Sequence, residues 1–300
     1  MGTSTQAAIE TEQLTKYYGS SRGIVDLDLR VEAGEVFGFL GPNGAGKTTT
    51  IRVLMDLIRP TSGHARIFGK DVRTDSVAIK AMTGYLPGEL ALWNNLTGRQ
   101  ILIYLGNLRG GADNAAIESI AERLQLDLSK KFREYSRGNK LKVGLVQAFM
   151  HKPQLLILDE PTSGLDPLNQ QEFFLMVSEA KERGATTFLS SHILSEVEHT
   201  SDRVGIIREG HLVRVGSVRE IVAEKLFHVT LALGVPASGE VVQAFANLPS
   251  VSQVTATDHT LQFIVQGSVD PVVKKASDYP ILSLTSHEPT LEEAFLEYYK

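Results

Sequence analysis

The chain has 300 residues, 42% of them hydrophobic and 22% charged, with a net charge of -5; this is long for one compact domain and comfortable for two. The mild negative charge and the lack of a basic block argue against a nucleic-acid partner. The absence of cysteine excludes disulfides and thiol chemistry and suits a reducing compartment, and no run approaches the roughly 18 apolar residues that span a bilayer.

In chain order, residues 1–8 are small and polar, without the apolar centre of a signal peptide, and are expected to be a disordered tail. Strands are expected over 9–14 and 23–31, with Tyr17-Tyr18-Gly19 between them. The apolar run 35–40 fits a buried strand. It leads into Gly41-Pro42-Asn43-Gly44-Ala45-Gly46-Lys47-Thr48-Thr49, which fits the pattern G-x-x-x-x-G-K-[ST]. A helical pattern over 48–58 leaves this stretch. A glycine-rich loop between a strand and a helix is a polyphosphate cradle. Its N–H groups and the helix N-terminus point at the anion. Lys47 would neutralise the β- and γ-phosphates, and the Thr48 hydroxyl would ligate Mg²⁺.

Arg59-Pro60-Thr61-Ser62-Gly63 stops that helix. Short strands are expected over 64–68 and 82–86. From about 89 to 150 the pattern turns helical, with Thr97-Gly98-Arg99-Gln100 in capping-box form, an amphipathic run over 115–126 and a helix opening at Ser136-Arg137-Gly138. An all-helical insert in an α/β chain reads as a subdomain. The aliphatic run 155–158 ends in Asp159-Glu160, as a central parallel strand with acids at its carboxyl end, the edge where open α/β sheets bind ligands. One carboxylate there, Asp159, suits Mg²⁺ and the other, Glu160, suits polarising an attacking water. A helix is expected over 172–183, a strand over 186–190 ending at Ser191-His192, and a hairpin over 204–215.

A domain boundary is expected at 222–226. The tail, 227–300, alternates β-α-β-β-α-β, the ferredoxin-like pattern. Its last helix opens with Thr290-Leu291-Glu292-Glu293, placing Leu291, Phe295 and Tyr298 on one face. A ligand sensor, a dimerisation module and a brace are equally open for this tail, because the fold alone cannot decide.

The P-loop, Tyr135-Ser136-Arg137-Gly138, Asp159-Glu160, Ser163-Gly164-Leu165-Asp166 and Ser191-His192 occur in order. Together they resemble the nucleotide-binding subunit of an ATP-binding-cassette (ABC) transporter over residues 8–220. Pro289-Thr290-Leu291-Glu292-Glu293-Ala294-Phe295 resembles the C-terminal region of ATPase subunits of ABC-2 type drug and antibiotic exporters. The resemblance implies an ABC-type cassette over 9–222, mixed sheet plus helical subdomain, binding ATP and Mg²⁺. It implies Glu160 as general base and His192 as its orienting partner. Tyr18 resembles the aromatic that stacks on adenine, with Tyr17 the competing choice. Ser136 and Gly138 resemble the signature that faces the γ-phosphate on a second subunit, and Asp166 the interfacial aspartate. The implied partners are integral-membrane permease subunits and a second copy or a relative, at the cytoplasmic face of the cell membrane. Two departures stand out. Arg137 and Asn139 replace the usual Gly and Gln of the signature, and Gly88 falls where the family carries a glutamine. Glu89 or water are the alternatives for that missing oxygen ligand. A soluble ABC protein of translation or repair is disfavoured by the single cassette, and a non-hydrolysing ATP-binding regulator by the intact Glu160 and His192.

Overall fold

The computed structural model describes residues 6–223 and 226–287. The chain divides into two compact units, Met1–Val215 and Gly216–Lys300. The division falls upstream of the expected boundary at 222–226, because the short helix Val218–Ala223 belongs with the second unit.

The first unit holds two sheets. One is antiparallel, with β1 (Ala7–Tyr18), β2 (Ser21–Glu32), β4 (Ser62–Ile67) and β5 (Lys70–Asp71) in the order β2-β1-β4-β5. The expected tail at 1–8 is corrected here: Ala7 and Ala8 are buried, Ala7 pairs with Glu32, and the Ala8 carbonyl accepts the Phe68 N–H. Residues 1–5 lie outside the described residues.

The second sheet has six strands: β3 (Val36–Leu40), β6 (Thr83–Leu86), β7 (Leu155–Asp159), β8 (Thr186–Ser191), β9 (Arg203–Arg208) and β10 (His211–Ser217). Their order is β10-β9-β3-β8-β7-β6, with β9-β3-β8-β7-β6 all parallel. β3, β7 and β8 are buried along their whole length, which is why β3 and β7 read as apolar runs without alternation, while β8 buries Thr186, Thr187, Ser190 and Ser191 as well as Phe188 and Leu189. Phe37 and Phe188 stack with centroids 5.9 Å apart across neighbouring strands.

α1 (Lys47–Leu54) crosses between the sheets, touching β2, β4 and β7 and burying Ile51, Val53 and Leu54. It ends before the expected residue 58, since Asp56 has a left-handed φ of 49° that no helix continues. α2 (Ser76–Met82) was not anticipated by the pattern. Between β6 and β7 lie α3 (Gly98–Leu108), α4 (Asn114–Arg123) and α5 (Arg137–Phe149). Thr97 and Gln100 form the expected reciprocal cap on α3. α6 (Pro167–Glu182) starts well before residue 172, because Asp166 caps it and Pro167 takes the first turn. α7 (Leu194–Thr200) was also unanticipated.

The second unit contains α8 (Val218–Ala223), β11 (Leu226–Leu233), α9 (Gly239–Ala246), β12 (Val251–Thr257), β13 (Thr260–Gln266), α10 (Asp270–Ala276) and β14 (Ile281–His287). Its sheet is antiparallel in the order β12-β13-β11-β14. Phe245 of α9 lies fully buried against Phe263 of β13, their centroids 5.5 Å apart. The expected last helix from Thr290 lies outside the described residues.

Candidate functional site

The stretch 41–49 runs from the end of β3 into α1, and Gly46 caps the helix with φ 114°, a conformation that glycine adopts without steric cost. The first intrahelical bond is from the Thr50 N–H to the Gly46 carbonyl. The N–H groups of Lys47, Thr48 and Thr49 are therefore without intrahelical acceptors, at the positive end of the helix dipole. The Lys47 side chain is buried and folds back over the loop, donating to the carbonyls of Gly41 at 2.6 Å and Pro42 at 3.1 Å.

Asp159 ends β7 beside this loop and is 1% exposed. It accepts from Thr48 Oγ1 at 2.8 Å and from Ser190 Oγ at 2.6 Å, one bond to each carboxylate oxygen. Ser190 Oγ also accepts the Glu160 N–H at 3.2 Å. Parallel pairing of β7 with β8 sets Asp159 opposite Ser190, so register positions this carboxylate.

Glu160 has a φ of 52°, a strained conformation for a residue with a side chain. The strain turns its carboxylate away from Asp159 and into a different set of partners. Oε1 lies 3.2 Å from Lys47 Nζ, and Oε2 lies 2.6 Å from His192 Nδ1. The two adjacent acids thus occupy separate positions, one on the threonine hydroxyl and one between a lysine and a histidine.

Two depressions flank the loop. One, about 340 Å³, is lined by Tyr18, Arg22, Pro42, Lys47, Thr49 and Glu160. Of the two candidate tyrosines it is Tyr18 that lines it, with its hydroxyl 3.5 Å from Thr49 Oγ1 and the Lys16 ammonium 5.3 Å from its ring centre. The Tyr17 N–H is instead taken by Thr61. The other, about 720 Å³, opens between the loop and the helices, lined by Asn43, Thr48, Gly88, Arg137, Asp159 and His192 among others. Asn43, Gly44 and Ala45 complete the loop's turn, in which the Ala45 N–H donates to the Pro42 carbonyl at 3.2 Å.

At Gly88 a Cβ would stand 3.0 Å from Asp159 Oδ2. Any side chain at this position would start in contact with the acid, so the position is spatially that of an Asp159 neighbour despite having no donor of its own. Glu89 lines the same cavity and is exposed. Tyr85, on β6, lines it too; burial, reinforced by the Asp159 charge, pushes its phenol up to about 12, so it stays a neutral hydrogen-bond donor.

The remaining candidates have structural bonds within the chain. Ser136 caps α5, its Oγ accepting the Asn139 N–H at 3.3 Å. Asp166 caps α6, with both carboxylate oxygens on Asn169, at 3.1 Å to the N–H and 2.7 Å to Nδ2. Those bonds hold the exposed Asp166 carboxyl below the usual range. Sequence reasoning missed Ser190 and Tyr85. Ser190 had a signal, a small hydroxyl after Phe188-Leu189 and just before Ser191-His192; the proximity of Tyr85 to Asp159 had none.

The donors fit a divalent cation of the magnesium kind. Thr48 Oγ1 and Asp159 Oδ2 are both oxygens, 2.8 Å apart, and among the described residues no group of three or more His, Cys, Asp or Glu gathers anywhere. Two protein ligands with the rest left to phosphate and water is how Mg²⁺ is commonly held.

Fold and site together define a P-loop nucleotide-binding cassette. The family model described as "ABC transporter" matches residues 24–163, and one described as "AAA domain, putative AbiEii toxin, Type IV TA system" matches 129–198. The chain is 44% identical over 208 residues to the bacitracin transport ATP-binding protein BcrA of Bacillus licheniformis, covering 68% of each chain. It is 31% identical over 301 residues to the linearmycin resistance ATP-binding protein LnrL of Bacillus subtilis, covering 96% of this chain and 97% of the relative. A solved structure titled "Structure of ATP binding subunit of ABC transporter" superposes with a TM-score of 0.66 at 30% identity, over 71% of this chain and 91% of that one. The chain belongs to the ATP-binding subunits of ABC transporters, a family that binds ATP with Mg²⁺ and hydrolyses it to drive transport.

Proposed function

We propose that the chain powers export of a drug, antibiotic or other amphiphile through separate membrane-spanning subunits, from the cytoplasmic face of the cell membrane. Among the described residues no helix is long and apolar enough to cross a membrane, in keeping with a path supplied by other chains. The names of the bacitracin and linearmycin relatives support the substrate class. The residues 227–300 are read as a ferredoxin-like accessory domain, supported by the β-α-β-β-α-β order and the strand order β12-β13-β11-β14.

The observation that carries the proposal is the Glu160 carboxylate held between Lys47 and His192, beside Asp159 on Thr48. In this reading the loop N–H groups and Lys47 bind the β- and γ-phosphates, and Tyr18 stacks on the base. A polyphosphate competes with Glu160 for Lys47 and so frees one carboxylate oxygen. Glu160 then takes a proton from water as the water oxygen bonds to the γ-phosphorus and the bond to the β-phosphate oxygen breaks. His192 holds Glu160 and the water in line. Thr48 and Asp159 would hold Mg²⁺, which neutralises charge on the phosphates. Ser136, Gly138 and Asp166 lie at the surface that a second copy covers when ATP is bound.

Sedimentation of the Glu160→Gln chain tests the dimer. Saturating MgATP is expected to convert it from one chain to two, with ADP leaving it as one; a single chain under both conditions contradicts the proposal. Co-purification with a multi-span membrane protein tests the permease partner.

A further inference from the structure

Arg22 lies at the start of β2, outside every motif of the site. Three close approaches set its place against the loop 41–49. A Cβ on Gly23, the next residue, would stand 3.0 Å from Thr49 Cγ2 and 3.1 Å from the Tyr18 ring. A Cβ on Gly46 would stand 2.8 Å from the Gly23 carbonyl oxygen. A Cβ on Gly210 would stand 3.1 Å from Arg22 Cδ, and the Gly210 N–H donates to the Ala45 carbonyl at 2.8 Å. The start of β2 is thus packed on the loop and on Tyr18, and the Arg22 side chain runs past the turn at Gly210. It lines the 340 Å³ depression with Tyr18, Gly44, Lys47 and Thr49.

Among the described residues, Arg22 and Lys47 are the two cations that line this depression, and their surroundings differ. Lys47 Nζ is held by the Gly41 and Pro42 carbonyls and by Glu160, at the end proposed for the terminal phosphates. Arg22 adjoins the contact of Gly23 with Tyr18 and Thr49, at the end proposed for the base. A nucleotide with its base on Tyr18 and its terminal phosphates at Lys47 brings its ribose and α-phosphate along the side that Arg22 lines. Arg22 Nη1 pairs with Glu209 Oε2 at 3.5 Å, and the two side chains are 42% and 65% exposed. A pair so long and so open contributes little. The guanidinium is always charged and presents a planar fork of donors that matches phosphate oxygens, so a phosphate in the depression is its stronger partner.

We propose that Arg22 binds the α-phosphate of the nucleotide, exchanging Glu209 for a phosphate oxygen. This rests on the nucleotide site proposed above. The contact adds affinity that ATP and ADP share, whereas Lys47 and Glu160 act at the terminal phosphates, where the two nucleotides differ.

The test is the affinity of the full-length chain for ADP and for the β,γ-imido analogue of ATP, each with Mg²⁺. Arg22→Ala is expected to weaken both by the same factor, about tenfold, the usual worth of a hydrogen bond to a charged group. Arg22→Lys, which keeps the charge, is expected to recover part of the loss. Arg22→Gln, which keeps a donor without the charge, is expected to recover none. Unchanged affinities overturn the proposal. A loss confined to the ATP analogue overturns it by placing Arg22 at the terminal phosphate. Recovery by Arg22→Gln as full as by Arg22→Lys overturns it by assigning the contact to the ribose or base. An unfolding midpoint without nucleotide equal to the parent's certifies that the alanine variant is folded; where it is lower, the Lys and Gln variants alone decide. A parent chain that binds neither nucleotide sinks the site itself, a failure distinct from that of Arg22.

Discussion

The two units of this chain bury different chemistry. In the first, Lys47, Asp159, Ser190, Ser191 and Glu196 are all buried, most of them at the carboxyl ends of β7 and β8 or in the adjoining loop. In the second, every residue described as buried is apolar, from Val229 and Leu231 to Phe245 and Phe263. Burying a charge is costly unless it is bonded, and these three are: Asp159 by two hydroxyls, Lys47 by two carbonyls and Glu160, Glu196 by Ser191. The first unit buries charges around a candidate site, whereas the described core of the second, beneath its hydrogen-bonded sheet, is apolar. The difference locates the buried charges in the first unit and leaves the described residues of the second with an apolar core.

The largest effect that sharpens this contrast is on stability. Phe245→Ala removes a fully buried ring and is expected to cost the second unit about 3–5 kcal/mol, read as faster hydrogen exchange in peptides spanning 226–287. Nucleotide affinity is expected to stay put; a parallel loss would break the separation of roles. Next comes Ser190→Ala. It removes one of the two hydroxyls that orient Asp159 and is expected to raise the Mg²⁺ concentration for half-maximal turnover by roughly 10–100-fold, the usual worth of a partner that orients a ligand. The fold is kept, because alanine fits a buried strand. An unchanged Mg²⁺ requirement would show that Asp159 is oriented without it.

The smallest effect is on pH dependence. Burial, with the nearby Arg109 charge as a lesser cause, pushes His151 down to about 4. Between pH 6.5 and 4 the unfolded chain therefore binds a proton that the native chain does not. Stability rises with pH across that window and is lost as pH falls through it. His151→Phe is expected to flatten this decline in urea titrations between pH 7 and 4; an unaltered slope would assign the decline to other groups.

What the sequence discloses follows the same division. The P-loop, Asp159-Glu160 and His192 are readable because each function demands a fixed residue type at a fixed place along the chain. Ser190 is harder, since its importance comes from lying opposite Asp159 in a parallel register between strands joined by a long helical connection. Tyr85 is not readable at all, because only the adjacency of β6 to β7 brings it near Asp159. The strand at Ala7 and Ala8 looks like a tail because small residues carry little pattern, yet pairing with Glu32 and Phe68 fixes it. Ser136 and Asp166 were identified by motif, and their local caps on α5 and α6 emerge only from the backbone geometry.

The central claim is that Glu160 is the base of an ATP hydrolase, and the most direct measurement is phosphate release alongside ATP affinity for Glu160→Gln. The amide keeps the shape and loses the basicity. Turnover is expected to fall by roughly 10²–10⁴-fold with ATP affinity retained. Near-parental phosphate release from that variant would contradict the account.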